Sequence, residues 1–287
     1  MPAIFASAIA ESDLATLLRR HDRDRFLLAL FAPVARRDAV RAIYAFNAEI
    51  ARIPDLVSEP TLGRIRLEWW REAIAAIHAG EAPRRHEVLT PLAAAIGAHS
   101  LDGQQFERLI EARERDLSLE PPATMAALEA YAEETSAPLQ LLVLEVLGAV
   151  SSEANQAARA AAIAYALMGL LRATQYRAGA RRTILPQTLI AEAGLDLETI
   201  HAGKPDPALA TIARRIADRA RHHLAVARQV RPRIAPNALP ALLPAVLAEG
   251  DLKRLDHAGF DPFAPGFVRA DPWRSWRLTM AALRGRY

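Results

Sequence analysis

The chain has 287 residues, 52% of them apolar, and no cysteine, which supplies a buried core and excludes disulfides, thiolate metal sites and thiol nucleophiles. The net charge is +3 and the pI about 9.6, with arginine carrying nearly all the positive charge and Lys204 and Lys253 the only lysines. Such Ala/Arg richness reads as genome composition, and without clustered cations interleaved with aromatics no nucleic-acid partner is expected.

Apolar residues recur with a helical period and β-branched alternation is missing, so the chain reads as all-α. The opening 26 residues put an apolar patch ahead of any basic segment and soon turn acidic, so neither a secretory signal nor a transit peptide is expected. Ser12 and Asp13 open a first helix ending near Arg20, and a second covers 24–32, stopping at Pro33. A third runs from Val34 to about Ile53, where Pro54 breaks or kinks it. Helices follow at 61–79, 87–98 and from the N-cap Asp102 to about Leu117. After Pro121-Pro122, Thr124 opens a long helix interrupted at Pro138, and 153–177 forms another, rich in alanine. Beyond a loop at 178–185 come short helices at 187–202, a long one from Pro207 to Arg231, two at 236–257 and a last one at 272–284. FDPFAPGF (260–267) must be irregular, because Pro and Gly punctuate it. No repeat and no polar linker divides the chain, so residues 1–287 read as one domain of about ten helices. No apolar run reaches about 18 residues, so no membrane span is expected.

A site that binds diphosphate through magnesium needs acids paired on helix faces. Magnesium takes carboxylate and phosphate oxygens, and acids four residues apart share one face. AIYAFNAEIARIPD (42–55) begins like such a helix but has Ala51 and Arg52 where acids are wanted. Glu49 lies nearly opposite Ala51, and Asp55 reads as a cap or an arginine partner. YALMGLLRATQYRAGARR (165–182) has no acid at all. Its Arg172, Arg177, Arg181 and Arg182 suit a phosphate or carboxylate, which guanidinium groups bind bidentately, or a solvated face. ERLIEARERDLSLE (107–120) interleaves acids and arginines in a way that ion pairs within one helix explain. His222-His223 are neighbours and not a metal pair, Trp69-Trp70 reads as packing, and no G-x-S-x-G, P-loop or G-x-G-x-x-G occurs.

Taken together, DRFLLALFAPVARRDAVRAIYAF (24–46), LEAYAEETSAPLQLLVLEVLG (128–148) and ALMGLLRATQYRAGARRTILP (166–186) resemble the squalene/phytoene synthase family. The likeness spans nearly the whole chain from about residue 12. It implies an all-α isoprenoid-synthase bundle with a central cavity, in which active members hold Mg²⁺ between two acidic helices and join two prenyl diphosphates head to head. Carried over position by position, the acids of the first helix fall on Ala51, Arg52 and Asp55, and those of the second on Ala173 and Arg177, so Asp55 alone survives of the main metal ligands. Gln140 stands where the family usually has a glycine.

AFNAEIARIPDLVSEPTLGRIRLEWW (45–70), EARERDL (111–117), LRATQY (171–176) and FDPF (260–263) are similar to one branch of that family, which serves the assembly of respiratory complex I. The resemblance therefore implies a catalytically silent protein acting in that assembly. Subunits or assembly intermediates would be its partners, alongside an isoprenoid or lipid ligand and a peripheral membrane contact. The expected location is cytoplasmic, at the inner face of a bacterial respiratory membrane, or on the matrix side in a eukaryote. No metal or cofactor is expected. The alternatives are an active prenyltransferase, with Mg²⁺ held by Asp55 and relocated acids such as Glu49, Glu59 or Glu111, or a protein that binds and carries an isoprenoid, quinone or other lipid. The candidate ligand-facing residues are Asn47, Glu49, Arg52, Asp55, Arg172, Tyr176, Arg177, Arg181 and Arg182.

Overall fold

The helical periodicity becomes an all-α structure. The computed structural model describes residues 13–118 and 120–287, and every regular element among them is helical. The first six helices are α1 (Asp13–His21), α2 (Arg23–Ala29), α3 (Val34–Leu56), α4 (Pro60–His78), α5 (Leu89–His99) and α6 (Gly103–Glu114). The middle of the chain holds α7 (Met125–Leu147), α8 (Ser152–Arg172), α9 (Thr174–Gly179), α10 (Gln187–Ala193) and α11 (Leu197–His201). The last five are α12 (Pro207–Gln229), α13 (Leu239–Leu242), α14 (Pro244–His257), α15 (Pro265–Val268) and α16 (Arg274–Leu283). Short 3-10 turns lie at Arg115–Leu117, Arg231–Arg233 and Pro236–Ala238. Ser12 as a helix opener, and the first twelve residues of the segment read against a targeting signal, lie outside the described residues.

Several boundaries follow from capping. Asp102 accepts from the Gln104 N–H at 2.9 Å, and Thr124 from that of Ala127 at 3.2 Å, each satisfying a donor that the first turn leaves free. Four expectations need correction. Neither Pro54 nor Pro138 ends its helix, because α3 continues to Leu56 and α7 to Leu147. A proline inside a helix costs about 3 kcal/mol, but the ten successive residues from Thr135 to Leu144 are all buried. Packing on every side holds α7 together across the missing bond. The alanine-rich helix stops at Arg172, and the chain restarts as α9. FDPFAPGF contains one helical turn, α15.

The core is one contiguous cluster of buried apolar side chains running from Leu14 to Tyr287. In the N-terminal half, α3 is the hub, packed on α1, α2, α4 and α5. In the C-terminal half, α8 lies against α12 and α14, and α7 joins the halves by touching both α3 and α8. The alanines of α8, among them Ala157, Ala161 and Ala164 at 0% exposure, let its neighbours approach closely. No helix among the described residues is long and apolar enough to cross a membrane.

Candidate functional site: a remodelled cleft

The structure separates what the sequence grouped. Asn47 is buried, and its Oδ1 accepts from Nη2 of Arg113 at 3.5 Å. Glu49 and Arg52 pair along α3 at 3.2 Å, so the arginine in an acid's place is neutralised by its own helix. Ala51 is half-buried beside them. Asp55 neither caps nor pairs: it is exposed, with no hydrogen bond or ion pair among the described residues. The reason is its place in the last turn of α3, where the backbone offers free carbonyls and no free N–H for a carboxylate to accept from.

The four arginines near the second motif also part company. Arg172, the last residue of α8, turns inward to Asp24 at 3.2 Å and Asp251 at 3.2 Å. Arg181 is exposed and pairs with Glu198. Tyr176 is 67% exposed, and Ala173 is the bend between α8 and α9. Only Arg177 and Arg182 face a common space, and neither has an ion-pair partner among the described residues.

That space is a cleft of ≈ 310 Å³ between the 3-10 turn at Arg115–Leu117, the start of α7 and the segment after α9. Arg177 and Arg182 line it with Arg115, Asp116 and Tyr131. Tyr131 donates to Asp116 at 2.5 Å, and Arg113 donates to the other Asp116 oxygen at 3.0 Å. Burial, reinforced by the Asp116 carboxylate, pushes the Tyr131 phenol up to about 12, so it remains a donor at neutral pH. Arg115 is drawn off to Glu134 at 2.5 Å, and Glu120 stands exposed at the rim. Two guanidinium groups with free donors can hold a phosphate or diphosphate bidentately.

Around Tyr44, by contrast, the side chains are closely packed: Tyr44, Asn47 and Gln140 are each 1% exposed and Phe46 0%. Tyr44 donates to Oε1 of Gln140 at 3.4 Å, and burial pushes its phenol up to about 12. Gln140, where the family resemblance implies a glycine, thus links α7 to α3. As for the relocated acids, Glu59 and Glu111 are exposed. Among the described residues no three His, Cys, Asp or Glu side chains converge to hold a metal.

Sequence reasoning missed Asp116 and Tyr131 as cleft residues, and Arg113 as the partner that holds Asp116. The one local signal was Arg113–Asp116, three residues apart and paired. Of the ion pairs expected within 107–120, Arg113–Asp116 forms, whereas Glu107 and Glu114 reach Arg71 of α4, at 2.7 and 2.9 Å. They form a stripe facing α4, where an interhelical partner outcompetes local ones.

Comparison with known proteins fits this geometry. The squalene/phytoene synthase family model matches residues 18–283. The chain belongs to the squalene/phytoene synthase family. Within it, the rat protein named NADH dehydrogenase (ubiquinone) complex I, assembly factor 6 is 32% identical over 271 residues, covering 94% of this chain and 81% of its own. The human protein of the same name is 31% identical, covering 92% and 81%. A presqualene diphosphate synthase of Rhodopseudomonas palustris is 26% identical over 69% of this chain and 70% of its own. Among solved structures, a dehydrosqualene synthase superposes with a TM-score of 0.80 at 16% identity, covering 94% of each chain. A squalene synthase of Alicyclobacillus acidocaldarius gives 0.76 at 22%, covering 87% and 94%. The synthase fold is therefore kept, with a cationic cleft wall in this family member.

Proposed function

We propose that this chain is a catalytically silent squalene/phytoene synthase that acts in the assembly of respiratory complex I. The donor set carries this reading. Where active members would place acids, the chain has Ala51, Arg52, Ala173 and Arg177, and the one acid kept, Asp55, is exposed and without neighbours that could share a metal. Arg177 on the cleft wall repels a divalent cation. At about 4 Å the repulsion per unit charge is roughly 4 kcal/mol near a protein surface, which opposes rather than supports a magnesium clamp. The relatives named for complex I assembly, similar over nearly the full chain, favour the same conclusion. On this reading the protein works in the cytoplasm at the face of the respiratory membrane. It needs no cofactor there, and its partners are complex I subunits or intermediates.

Deleting the gene in its native host should lower NADH:ubiquinone activity and the amount of assembled complex I while squalene and carotenoid levels stay normal. Normal complex I in the deletion strain would overturn the proposal. In parallel, the purified chain mixed with farnesyl diphosphate and Mg²⁺ should release no diphosphate above background. Release abolished by Asp55→Ala would establish the prenyltransferase instead.

A further inference from the structure

The C-terminal helix is amphipathic the wrong way round for a helix that only covers a core. Its single buried residue is Leu278, and Arg274 pins it from beneath by reaching Asp24 and, at 2.8 Å, Asp251. The opposite face is open: Trp273, Trp276 and Leu283 are 65%, 59% and 75% exposed. At about 100° per residue these three and Met280 lie within an arc of about 80°, so they form one stripe. The clamp under Arg274 fixes the rotation of α16 that turns this stripe outward.

Charge surrounds the stripe. Residues 272–287 contain four arginines and no acid. Arg277 is engaged by Asp271, but Arg284 and Arg286 are exposed and have no ion-pair partner among the described residues. With Arg231 and Trp276 they line a groove of ≈ 640 Å³ between α16 and the end of α12. Indoles are amphipathic and settle at the boundary between hydrocarbon and headgroups, where arginines meet lipid phosphates. A protein partner would match such a stripe with acids or a complementary shape; a membrane asks only for an exposed apolar edge with cations beside it.

We propose that α16 docks this protein peripherally onto an anionic phospholipid bilayer, with Trp273, Trp276 and Leu283 entering the interface and Arg284 and Arg286 meeting lipid phosphates. This stands whether or not the chain serves complex I assembly. The test is co-sedimentation of the full chain with vesicles of phosphatidylcholine, alone or mixed with phosphatidylglycerol, at low and high salt. Binding should favour the anionic vesicles by about tenfold or more and weaken with salt. The variant W273A/W276A should lose about tenfold in affinity, and R284A/R286A should lose a similar factor together with most of the salt dependence. Independently of any variant, brominated acyl chains in anionic vesicles should quench the indole fluorescence of the unmodified chain. The proposal is overturned by equal binding to neutral vesicles, by absence of quenching, or by folded variants that bind like the parent. It is also overturned by a concentration-dependent dimer that the tryptophan variant abolishes, which would make the stripe a contact between copies.

Discussion

Asp251→Ala is expected to destabilise the folded chain by about 3–5 kcal/mol, the cost of leaving a buried charge cluster without one of its partners. Asp251 is 0% exposed. It sits between Arg172 at 3.2 Å, Arg274 at 2.8 Å and Arg254 at 3.7 Å. Asp24 completes the cluster, taking Arg172, Arg274 and the Tyr165 hydroxyl, the last at 3.1 Å. Its members come from α2, α8, α14 and α16, so the cluster ties the first helices to the last. Removing Asp251 leaves three guanidinium groups facing one carboxylate. Urea denaturation followed by circular dichroism reads the loss as a lower midpoint with an unchanged slope. Arg84→Ala is the contrast: it breaks the exposed pair with Glu72 and should cost no more than about 1 kcal/mol. A loss that small at Asp251 would show that the cluster is dispensable.

The same cluster sets an acid limit. Burial alone would push the Asp24 carboxyl up from its ordinary 3.8, but Arg172 and Arg274 outweigh it and hold the group below that value. The folded chain then binds fewer protons than the unfolded one as the pH falls. The stability from this group is complete above the unfolded value and is lost as the pH falls through the folded one. In a pH series of denaturation midpoints, the share of the drop that Asp24 contributes should therefore set in near its ordinary 3.8 and grow as the pH falls further, and Asp24→Asn should remove that share.

The parts of this structure legible in the sequence are those governed by neighbours along the chain. Asp102 and Thr124 cap helices because a cap needs only the next three residues. The loss of acids at Ala51, Arg52, Ala173 and Arg177 is read directly from register against the family pattern. What could not be read depends on distant partners. Arg172 and Arg177 look alike on a helix, yet Arg172 turns inward because Asp24, 148 positions away, waits for it. Gln140 looks like an isolated replacement until Tyr44, 96 positions away, is found against it. Pro138 reads as a breaker because the rule concerns the backbone, whereas burial of the whole surrounding turn decides the outcome. Arg113, Asp116 and Tyr131 come from α6, the turn after it and α7, and only folding makes them one hydrogen-bonded group.

The largest functional effect is expected at the cleft wall, where Arg177 and Arg182 should bind inorganic diphosphate without a metal. A charge-assisted hydrogen bond contributes about 1.5–3 kcal/mol, so losing one guanidinium should weaken binding by roughly ten- to a hundredfold. Calorimetric titration of diphosphate into the full chain reads this directly. Affinity should be at least as high in EDTA as in Mg²⁺, which competes for the diphosphate oxygens, and each of Arg177→Ala and Arg182→Ala should lower it by that factor. Arg181→Ala should leave it unchanged, because that guanidinium is engaged outside the cleft by Glu198. The metal is the discriminating variable. A synthase clamps diphosphate through magnesium and carboxylates, so its affinity collapses when the metal is chelated. A cleft walled by arginines supplies the positive charge itself, and a divalent cation entering beside them adds only repulsion. Binding that requires Mg²⁺, or that survives loss of both Arg177 and Arg182, would show that the anion is held elsewhere and would return Asp55 and its surroundings to consideration as a working site.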